Sequence, residues 1–292
     1  MKLRTLSLKD KALFDKYLTL EKHELSVYSF ANIYIWKSLF RIRWVVIAKS
    51  LCIFFQDQLG TFLYLPPLSR IKDPRVIDKI FLDRAITRIE NIEESDLAFY
   101  RALGYEVKDK FPEYLCKRKE IADLKGNKFK HKRAERNYFL KHYNFQHLDL
   151  KPKDKIGCLE LCAQWAKKRK ALNLDPVYQG MLMDSQKCLQ ALLKDYRKLD
   201  CAGRVVKISS KIKGFTLGFK LSNDTFCILY EITDLSVKGL AQFIFSEFCS
   251  ELKGYPYINI MDDSGLENLK RVKLSWRPAR VIPAYIVNNP HA

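Results

Sequence analysis

A carboxylate within an apolar strand pattern is the residue of this chain with the clearest potential for proton transfer. Glu231 lies near the end of Thr225–Ile232, whose alternating faces are both apolar, and the alternation groups it with Cys227 and Leu229. Such a strand is expected at the centre of a sheet, covered on both sides. A carboxylate there needs a cation or hydrogen-bond donors, or it takes up a proton. We predict that Glu231 is a general base or an anchor for an amine, with a structural ion pair to Lys273 as the alternative.

The most basic stretch of the chain lies near its middle. Between Lys117 and His142, ten Lys and Arg residues stand against three acids, a local balance of 10 − 3 = +7. On a helical wheel, Lys132, Arg133 and Arg136 fall among aromatic and apolar side chains rather than opposite them. This arrangement favours a helix face that binds an anion, such as the phosphates of a nucleic acid. The alternative is a connecting helix whose cations are simply solvated.

A glycine turn and a second basic run are further candidate sites. Gly239 lies in the turn Ser236–Ala241 before a predicted helix. In CoA-using acyltransferases, a turn of this kind surrounds a pyrophosphate with backbone N–H groups. Ser236 replaces the long side chain of that motif, so CoA is the weaker hypothesis. Further on, a strand-like alternation predicts that Lys273 and Ser275 share one face, with a solvated helix end as the alternative.

Several classes of chemistry lack support in the sequence. There is no Gly-x-Ser-x-Gly elbow, phosphate-binding P-loop or His-Glu-x-x-His pair, so hydrolase and ATPase activities are not indicated. The eight cysteines form no Cys-x-x-Cys pair, and their apolar surroundings predict reduced, buried thiols. Cys158 and Cys162 share a helix face, but no His lies nearby in the sequence, and we predict no bound metal.

The charge of the chain indicates the kind of partner it binds. The 292 residues carry a formal net charge of +19, which favours polyanionic partners such as RNA, an anionic lipid surface or a phosphorylated cofactor. The beginning of the chain lacks the apolar core of a signal peptide. The longest uncharged runs, such as Leu25–Trp36, are too short to cross a bilayer. We predict a cytoplasmic protein without a transmembrane segment, with peripheral contact at the inner face of the membrane as a further possibility.

The predicted elements occur twice in the same order. Each half has a meander of three strands, then a helix, a strand, a helix and a last strand. In the second half, the two helices before the meander are predicted at 152–170 and 184–198. We predict an α/β (α+β) fold of two tandem domains, residues 1–120 and 145–292, connected by the basic helix within 121–144.

Spaced motifs accompany this order of elements. In the first half they are Phe30-Ala31-Asn32-Ile33-Tyr34-Ile35-Trp36 and Tyr64-Leu65-Pro66-Pro67. In the centre they are Gly126, Lys128, Phe129, Lys132, Arg133, Asn137 and Phe139. In the second half they are Phe215-Thr216-Leu217-Gly218, Glu231, Gly239, Gln242, Asp263, Gly265, Lys273, Ser275 and Pro278. With these residues the chain resembles the phosphatidylglycerol lysyltransferase C-terminal domain family, bacterial proteins with two GCN5-related N-acyltransferase (GNAT)-like folds in tandem.

The resemblance implies an aminoacyl-tRNA-dependent aminoacyl transferase. Such an enzyme takes the aminoacyl group from a charged tRNA, its co-substrate, and passes it to a lipid headgroup or another amine or hydroxyl acceptor. No other cofactor is implied. Within this hypothesis we predict catalytic roles for Glu231 and Lys273. The matched residues and the basic helix together predict substrate binding by nine residues: Lys128, Lys132, Arg133, Arg136, Asn137, Gly239, Gln242, Asp263 and Ser275.

Some residues depart from the pattern of that family. They are Lys130, Ala134, Phe219, Ile260 and Met261. Several of them replace polar groups, so they concern the chemistry more than the fold. Two other hypotheses therefore stay open. One is a non-catalytic binding module of the same fold with a basic face for RNA or anionic lipid, and the other is a CoA-dependent N-acyltransferase. The acceptor, the amino acid and the oligomeric state are left open.

Overall fold

The structure, a computed structural model, describes residues 2–292. The chain forms two compact units. The first comprises the residues up to Glu113, Asp262–Gly265 and Val281–Ala292. The second comprises Tyr114–Met261 and Leu266–Arg280. The predicted limits of 1–120, 121–144 and 145–292 concern a duplication of the chain, which this division does not test, and they stay a prediction.

The helices and strands follow one another along the chain without long irregular segments. The first part contains β1 (Arg4–Thr5), α1 (Lys11–Leu18), α2 (Phe30–Ile35), β2 (Arg41–Ile47), β3 (Ser50–Asp57), β4 (Gly60–Leu63), α3 (Pro74–Phe81), β5 (Ile86–Ile92), α4 (Leu97–Ala102) and β6 (Val107–Lys117). The second part contains α5 (Arg118–Asp123), α6 (Lys130–His142), β7 (Gln146–Asp149), α7 (Lys155–Leu172), α8 (Pro176–Asp195), β8 (Cys201–Ile208), β9 (Lys211–Lys220), β10 (Thr225–Thr233), α9 (Leu240–Glu251), β11 (Tyr257–Asp262), α10 (Glu267–Ser275) and β12 (Arg280–Asn288).

Each unit contains an antiparallel meander followed by a parallel pair of strands. In the first unit, β1 to β4 pair antiparallel in chain order, and β4 pairs in parallel with β5. The last strand of the chain, β12, pairs antiparallel with β5. In the second unit, β7 to β10 pair antiparallel in chain order, and β10 pairs in parallel with β11. A helix, α3 or α9, separates the two parallel strands along the chain, so the predicted repetition of element order is confirmed.

Helix α3 begins where the sequence predicts it. The carboxylate of Asp73 accepts a hydrogen bond from the backbone N–H of Arg75 at 3.0 Å, and Pro74 occupies the first helical position. Ile77 and Ile80 are buried in the core of the first unit. Local capping and apolar spacing are therefore sufficient to locate this helix.

Helices cover both faces of β10 in the second unit. On one face, Phe226 and Ile228 of β10 belong to a core cluster with Phe245 of α9. Beyond the other face, the hydroxyl of Tyr230 donates a hydrogen bond to the carbonyl of Ser185 in α8 at 2.9 Å. The prediction that β10 is a central strand is confirmed, since it lies between β9 and β11.

Gly218 permits a close approach between β9 and β10. A Cβ atom there would lie 1.9 Å from the carbonyl oxygen of Cys227 and 2.8 Å from the ring of Phe226. We expect Gly218→Ala to lower the free energy of unfolding by about 3 kcal/mol or more, because the backbone must move. Urea denaturation measures this loss. The control is Gly180→Ala in α8, where no atom lies within 4 Å and a stabilisation of about 0.5–1 kcal/mol is expected. Equal effects of the two substitutions would contradict the explanation.

The described residues lack two kinds of feature. No helix within residues 2–292 is both long and apolar enough to cross a membrane. Within the same range, no group of three or more His, Cys, Asp or Glu side chains is arranged to hold a metal ion. The eight cysteines are thiols rather than members of disulfides, and only Cys201 is not fully buried.

Candidate active site

The orientation of Glu231 depends on a bulge in β10. Up to Ile228, β10 pairs residue for residue with β9, but the register then shifts, with Leu229 as the extra residue. An extra residue reverses the alternation of side chains in the rest of a strand. The predicted grouping of Glu231 with Cys227 is therefore wrong. The register puts Glu231 on the same face of the sheet as Phe226.

Strand β10 separates from its parallel neighbour before it reaches Glu231. The pairing with β11 ends at Cys227 and Asn259, whereas β10 continues to Thr233. No further pair between these strands occurs in the part of the chain that the structure describes. Glu231 is partly exposed at this position. Openings at the carboxyl ends of parallel strands commonly bind ligands, so the location suits a substrate.

The electrostatic surroundings of Glu231 determine whether its carboxyl group is charged. Within residues 2–292, no Lys, Arg or His nitrogen forms an ion pair with it at 4.0 Å or less. Burial raises the pKa of Glu231 from 4.5 to about 8, and the positive charges of Lys132 and Lys273 limit the rise. The alternative of a structural ion pair with Lys273 is therefore not supported. A carboxyl group with this pKa can gain or lose a proton near neutral pH.

Lys132 reaches the same region from α6. Its Nζ lies 3.8 Å from the centroid of the Trp276 ring, a cation–π contact. Burial lowers the pKa of Lys132 from 10.5 to about 8, while the charge of Glu231 acts to raise it. Lys132 and Glu231 thus titrate in the same pH range and influence each other's proton affinity.

Lys273 belongs to α10 and not to the predicted strand. Its ammonium group donates a hydrogen bond to the carbonyl of Ile260 in β11. The hydroxyl of Ser275 donates to the carbonyl of Val272 at 2.6 Å. Residues two apart on a helix point in nearly opposite directions, so the prediction that Lys273 and Ser275 share a face is wrong. Glu267 in the first turn and Lys273 in the last complement the helix dipole, which favours a helix here.

Three residues of the core cluster beside Lys132 were not predicted as part of the site. Burial raises the pKa of Cys116 to about 12 and that of Cys249 well above 9. Both therefore stay protonated thiols. They contribute to apolar packing and do not act as nucleophiles. Trp276 belongs to the same core cluster and supports Lys132. Its position three residues after Lys273 was the available clue in the sequence.

Two arginines of the basic helix bind backbone carbonyls. The guanidinium of Arg133 donates to the carbonyl of Gly126 at 3.1 Å, and that of Arg136 donates to the carbonyl of Ala122 at 3.3 Å. These carbonyls lie at and after the end of α5, where helices leave such groups without partners. Both arginines therefore stabilise the connection between α5 and α6. Their binding of phosphate stays a prediction.

The outward side of this segment carries other cations. Lys128 forms an ion pair with Glu120, and Asn137 is exposed. Three lysines are also exposed: Lys125, Lys130 and Lys141. A polyanion approaching the segment would meet these side chains first. The substrate-binding roles of Lys128 and Asn137 stay predictions.

The other predicted binding residues lie at the start of α9 and in the segment after β11. Gly239 precedes α9 with a φ of +79°, and a Cβ atom there would lie 2.0 Å from the carbonyl oxygen of Glu135 in α6. Gln242 lies in the first turn of α9 and is partly exposed. Asp263 belongs to the first unit, where its carboxylate accepts a hydrogen bond from the N–H of Gly265 at 2.9 Å. Their roles in substrate binding stay predictions.

Two motifs of the first half meet in a buried hydrogen-bond network. The hydroxyl of Tyr64 donates to the side chain of Asn32 at 3.0 Å. The side chain of Asn91 donates to the carbonyl of Tyr64 at 2.7 Å, and the hydroxyl of Tyr28 donates to the carbonyl of Asn91 at 2.9 Å. The network satisfies buried polar groups beside the parallel pair of the first unit, which indicates a structural role for these motifs.

A family model covers most of the chain. The model described as phosphatidylglycerol lysyltransferase, C-terminal, matches residues 19–288. The chain belongs to this family. The predicted resemblance is therefore confirmed. No curated protein matches the chain.

Solved structures share the fold of this family member. A conserved protein of unknown function from Bacteroides thetaiotaomicron VPI-5482 has a TM-score of 0.87 at 22% identity, with 99% of each chain covered. L-PGS from Bacillus licheniformis has a TM-score of 0.65 at 15% identity, with 96% of this chain and 91% of that chain covered. A tandem GNAT protein from the clavulanic acid biosynthesis pathway has a TM-score of 0.53 at 8% identity, with 99% and 98% covered. The likeness is one of fold, and it confirms the predicted α/β class with tandem GNAT-like folds.

Proposed function

We propose that this family member transfers an aminoacyl group from a charged tRNA to an amine or hydroxyl group of a lipid headgroup. The observation that carries the proposal is the state of Glu231. Glu231 is a partly exposed residue whose carboxyl group has no ion-pair partner among residues 2–292 and, because of burial, a pKa of about 8. A base with this pKa can take a proton from a nucleophile near neutral pH.

The proposed step exchanges one acyl bond for another. The oxygen or nitrogen of the acceptor attacks the carbonyl carbon of the aminoacyl ester, and the carboxylate of Glu231 takes the proton of the acceptor. The bond between that carbon and the ribose oxygen of the tRNA then breaks. The ribose oxygen leaves with the proton that Glu231 returns. Because the ester is already activated, holding the two reactants together would be a large part of the catalysis.

Two lysines would assist Glu231 in different ways. The ammonium group of Lys273, oriented by its hydrogen bond to Ile260, would stabilise the negative oxygen of the tetrahedral intermediate. Lys132 would act through Glu231, because its positive charge opposes the rise that burial causes in the pKa of the carboxyl group. Lys132 would thereby keep more of Glu231 in the basic form at neutral pH.

Aminoacyl-tRNA is favoured over CoA as the donor. The carbonyl of Glu135 crowds Gly239, the residue at the turn where a CoA pyrophosphate would bind. The exposed lysines before and along α6 suit the phosphates of a nucleic acid. Since charged tRNA is found in the cytoplasm, we propose that transfer takes place at the inner face of the membrane.

We expect the exposed lysines of this segment to determine the affinity for tRNA. Replacing Lys125, Lys130 and Lys141 together with Gln should weaken binding about tenfold at low salt. The slope of log affinity against log salt should fall by roughly two units, because fewer counterions are released on binding. Fluorescence anisotropy with labelled tRNA over a salt series measures both quantities.

A matched variant controls for the loss of net charge. Replacing Lys9, Lys16 and Lys79 of the first unit with Gln removes three exposed charges elsewhere and should change the slope little. An equal effect of both triple variants would mean that the attraction is not localised at the basic segment. Saturable CoA binding without tRNA binding would favour the CoA-dependent alternative.

Transfer itself can be tested with radiolabelled aminoacyl-tRNA. The protein is incubated with the labelled tRNA and with vesicles of defined headgroups, and label in the lipid fraction is measured. Incorporation into at least one lipid is expected. Binding of tRNA without incorporation into any lipid or soluble amine would favour the non-catalytic binding module instead.

A further inference from the structure

An exposed apolar cluster lies where α7 passes into α8. Leu172 ends α7, Leu174 lies in the turn and Val177 lies in the first turn of α8. Their exposed fractions are 79%, 80% and 72%. Single apolar residues are common on protein surfaces, but several that project together from one turn indicate a binding surface. Residues 171–177 are called the α7–α8 tip below.

The α7–α8 tip is held in place by its own hydrogen bonds. The side chain of Asn173 accepts a hydrogen bond from the N–H of Asp175 at 3.0 Å. The carboxylate of Asp175 in turn accepts from the N–H of Val177 at 2.7 Å and from that of Tyr178 at 3.2 Å, which caps α8. Tyr178 is buried and anchors the start of the helix. The apolar side chains therefore project from a defined turn.

Positive charge adjoins the apolar side chains. The last turns of α7 contain four consecutive cations, Lys167, Lys168, Arg169 and Lys170. The one acid in the tip is Asp175, whose carboxylate already caps α8. Apolar side chains that project beside a group of cations match the interface of an anionic bilayer, where the former enter the acyl region and the latter meet the headgroups.

The tip adjoins the end of β10 that carries Glu231. The Nζ of Lys168 lies 3.2 Å from a carboxylate oxygen of Asp234, which follows Glu231 by three residues. Lys168 and Leu172 are one helical turn apart on α7, about 6 Å along the helix. A bilayer that contacts the tip would thus present its headgroups at the same end of β10 as the carboxyl group of Glu231.

We propose that the α7–α8 tip docks this protein on anionic membranes, with Leu172, Leu174 and Val177 inserted among the lipids. The proposal rests on the proposed function in one respect: a lipid acceptor explains why the docking surface adjoins the end of β10 that carries Glu231. Docking itself needs neither tRNA nor transfer. It can therefore be measured separately.

Co-sedimentation with vesicles tests the docking surface. The probes are vesicles of phosphatidylcholine alone and of phosphatidylcholine with phosphatidylglycerol. The wild-type protein should bind the anionic vesicles and leave those of phosphatidylcholine largely unbound. Replacing Leu172, Leu174 and Val177 with Ser should reduce binding to anionic vesicles at least about tenfold, since the inserted apolar area is lost.

A second variant provides the matched control. Replacing Ile71 and Leu82 with Ser removes two apolar side chains of similar exposure, 82% and 79%, from the first unit. This variant should bind anionic vesicles as the wild type does. All the substituted side chains are exposed, so unchanged melting temperatures are expected and are measured alongside.

The outcomes separate docking from the proposed transfer. Unchanged vesicle binding by the triple tip variant would overturn the docking proposal. A second result would also overturn it: no form of the protein binds vesicles, and the wild type self-associates in analytical ultracentrifugation whereas the triple variant does not. Transfer to a soluble short-chain lipid should be unaffected by the tip variant. Loss of vesicle binding with no transfer by any form would support docking and contradict the proposed function.

Discussion

Replacing Glu231 with Gln is expected to lower the rate of aminoacyl transfer by a factor of about 10²–10⁴, the usual contribution of a general base. Gln has nearly the same shape as Glu but cannot take a proton from the acceptor. Affinity for tRNA should stay within about twofold, because the proposed tRNA contacts are exposed lysines outside β10. Single-turnover transfer from labelled aminoacyl-tRNA with protein in excess measures the rate, and anisotropy measures the affinity.

The same substitution is expected to stabilise the protein at alkaline pH. The pKa of Glu231 is about 8 in the folded protein against an ordinary value of 4.5, so the folded state holds the proton more tightly. The free energy of unfolding therefore falls as the pH rises from about 4.5 to 8. Gln removes this loss, and the variant should exceed the wild type by several kcal/mol, at most about 5, at pH about 8.5, with a smaller difference near pH 5.

An exposed carboxylate in the same unit provides the control. Glu267 lies in the first turn of α10, and Glu267→Gln removes the same charge from the surface. Both the transfer rate and the stability of this variant should remain close to those of the wild type. If Glu231→Gln destabilised the protein at every pH and left the transfer rate intact, Glu231 would be a structural partner of a cation and not the base.

For Glu231, the residue types of its strand predict its position in the sheet but not the direction of its side chain. An acid in an apolar strand is conspicuous in the sequence, and its central position follows from apolar faces on both sides. The direction of its side chain does not follow. The bulge at Leu229 arises from pairing with a second strand, whose Gly218 allows the close approach. No local pattern contains that information.

The basic helix shows a second reason for incomplete prediction. The helical wheel groups Arg133 and Arg136 with aromatic and apolar side chains, and in the structure both arginines are partly buried. Their partners are carbonyl groups at the end of α5. A backbone carbonyl and a phosphate oxygen both accept hydrogen bonds from a guanidinium, so spacing alone cannot distinguish a stabilised helix end from a phosphate site.

Helix capping indicates the start of α8 better than apolar spacing does. Helix α8 begins at Pro176, whereas apolar spacing predicted a start at residue 184. Asp175 followed by Pro176 is a typical helix start, and Asp175 indeed accepts hydrogen bonds from the first turn. Val177, in that first turn, is exposed rather than buried. The same exposure is now the basis for the proposed membrane contact.

Replacing Lys132 with Met is expected to shift the pH dependence of transfer upwards. Met keeps an unbranched apolar chain against Trp276 but removes the charge that limits the rise in the pKa of Glu231. The rising limb of the rate profile should therefore move above pH 8. Each unit of upward shift lowers the carboxylate fraction about tenfold at pH 7, while the rate should recover at higher pH. Single-turnover transfer measured over a pH series provides the profile.

Lys130→Met separates this role from phosphate binding. Lys130 is exposed on the same helix, so its loss should reduce the salt dependence of tRNA binding and leave the pH profile unchanged. Lys132→Met should shift the pH profile and leave the salt dependence of tRNA binding unchanged. Its stability at pH 7 should equal or exceed that of the wild type, because burial lowers the pKa of Lys132 and the buried charge costs stability below about pH 8. A rate that fell equally at every pH, together with a reduced salt slope, would assign Lys132 to the tRNA phosphates.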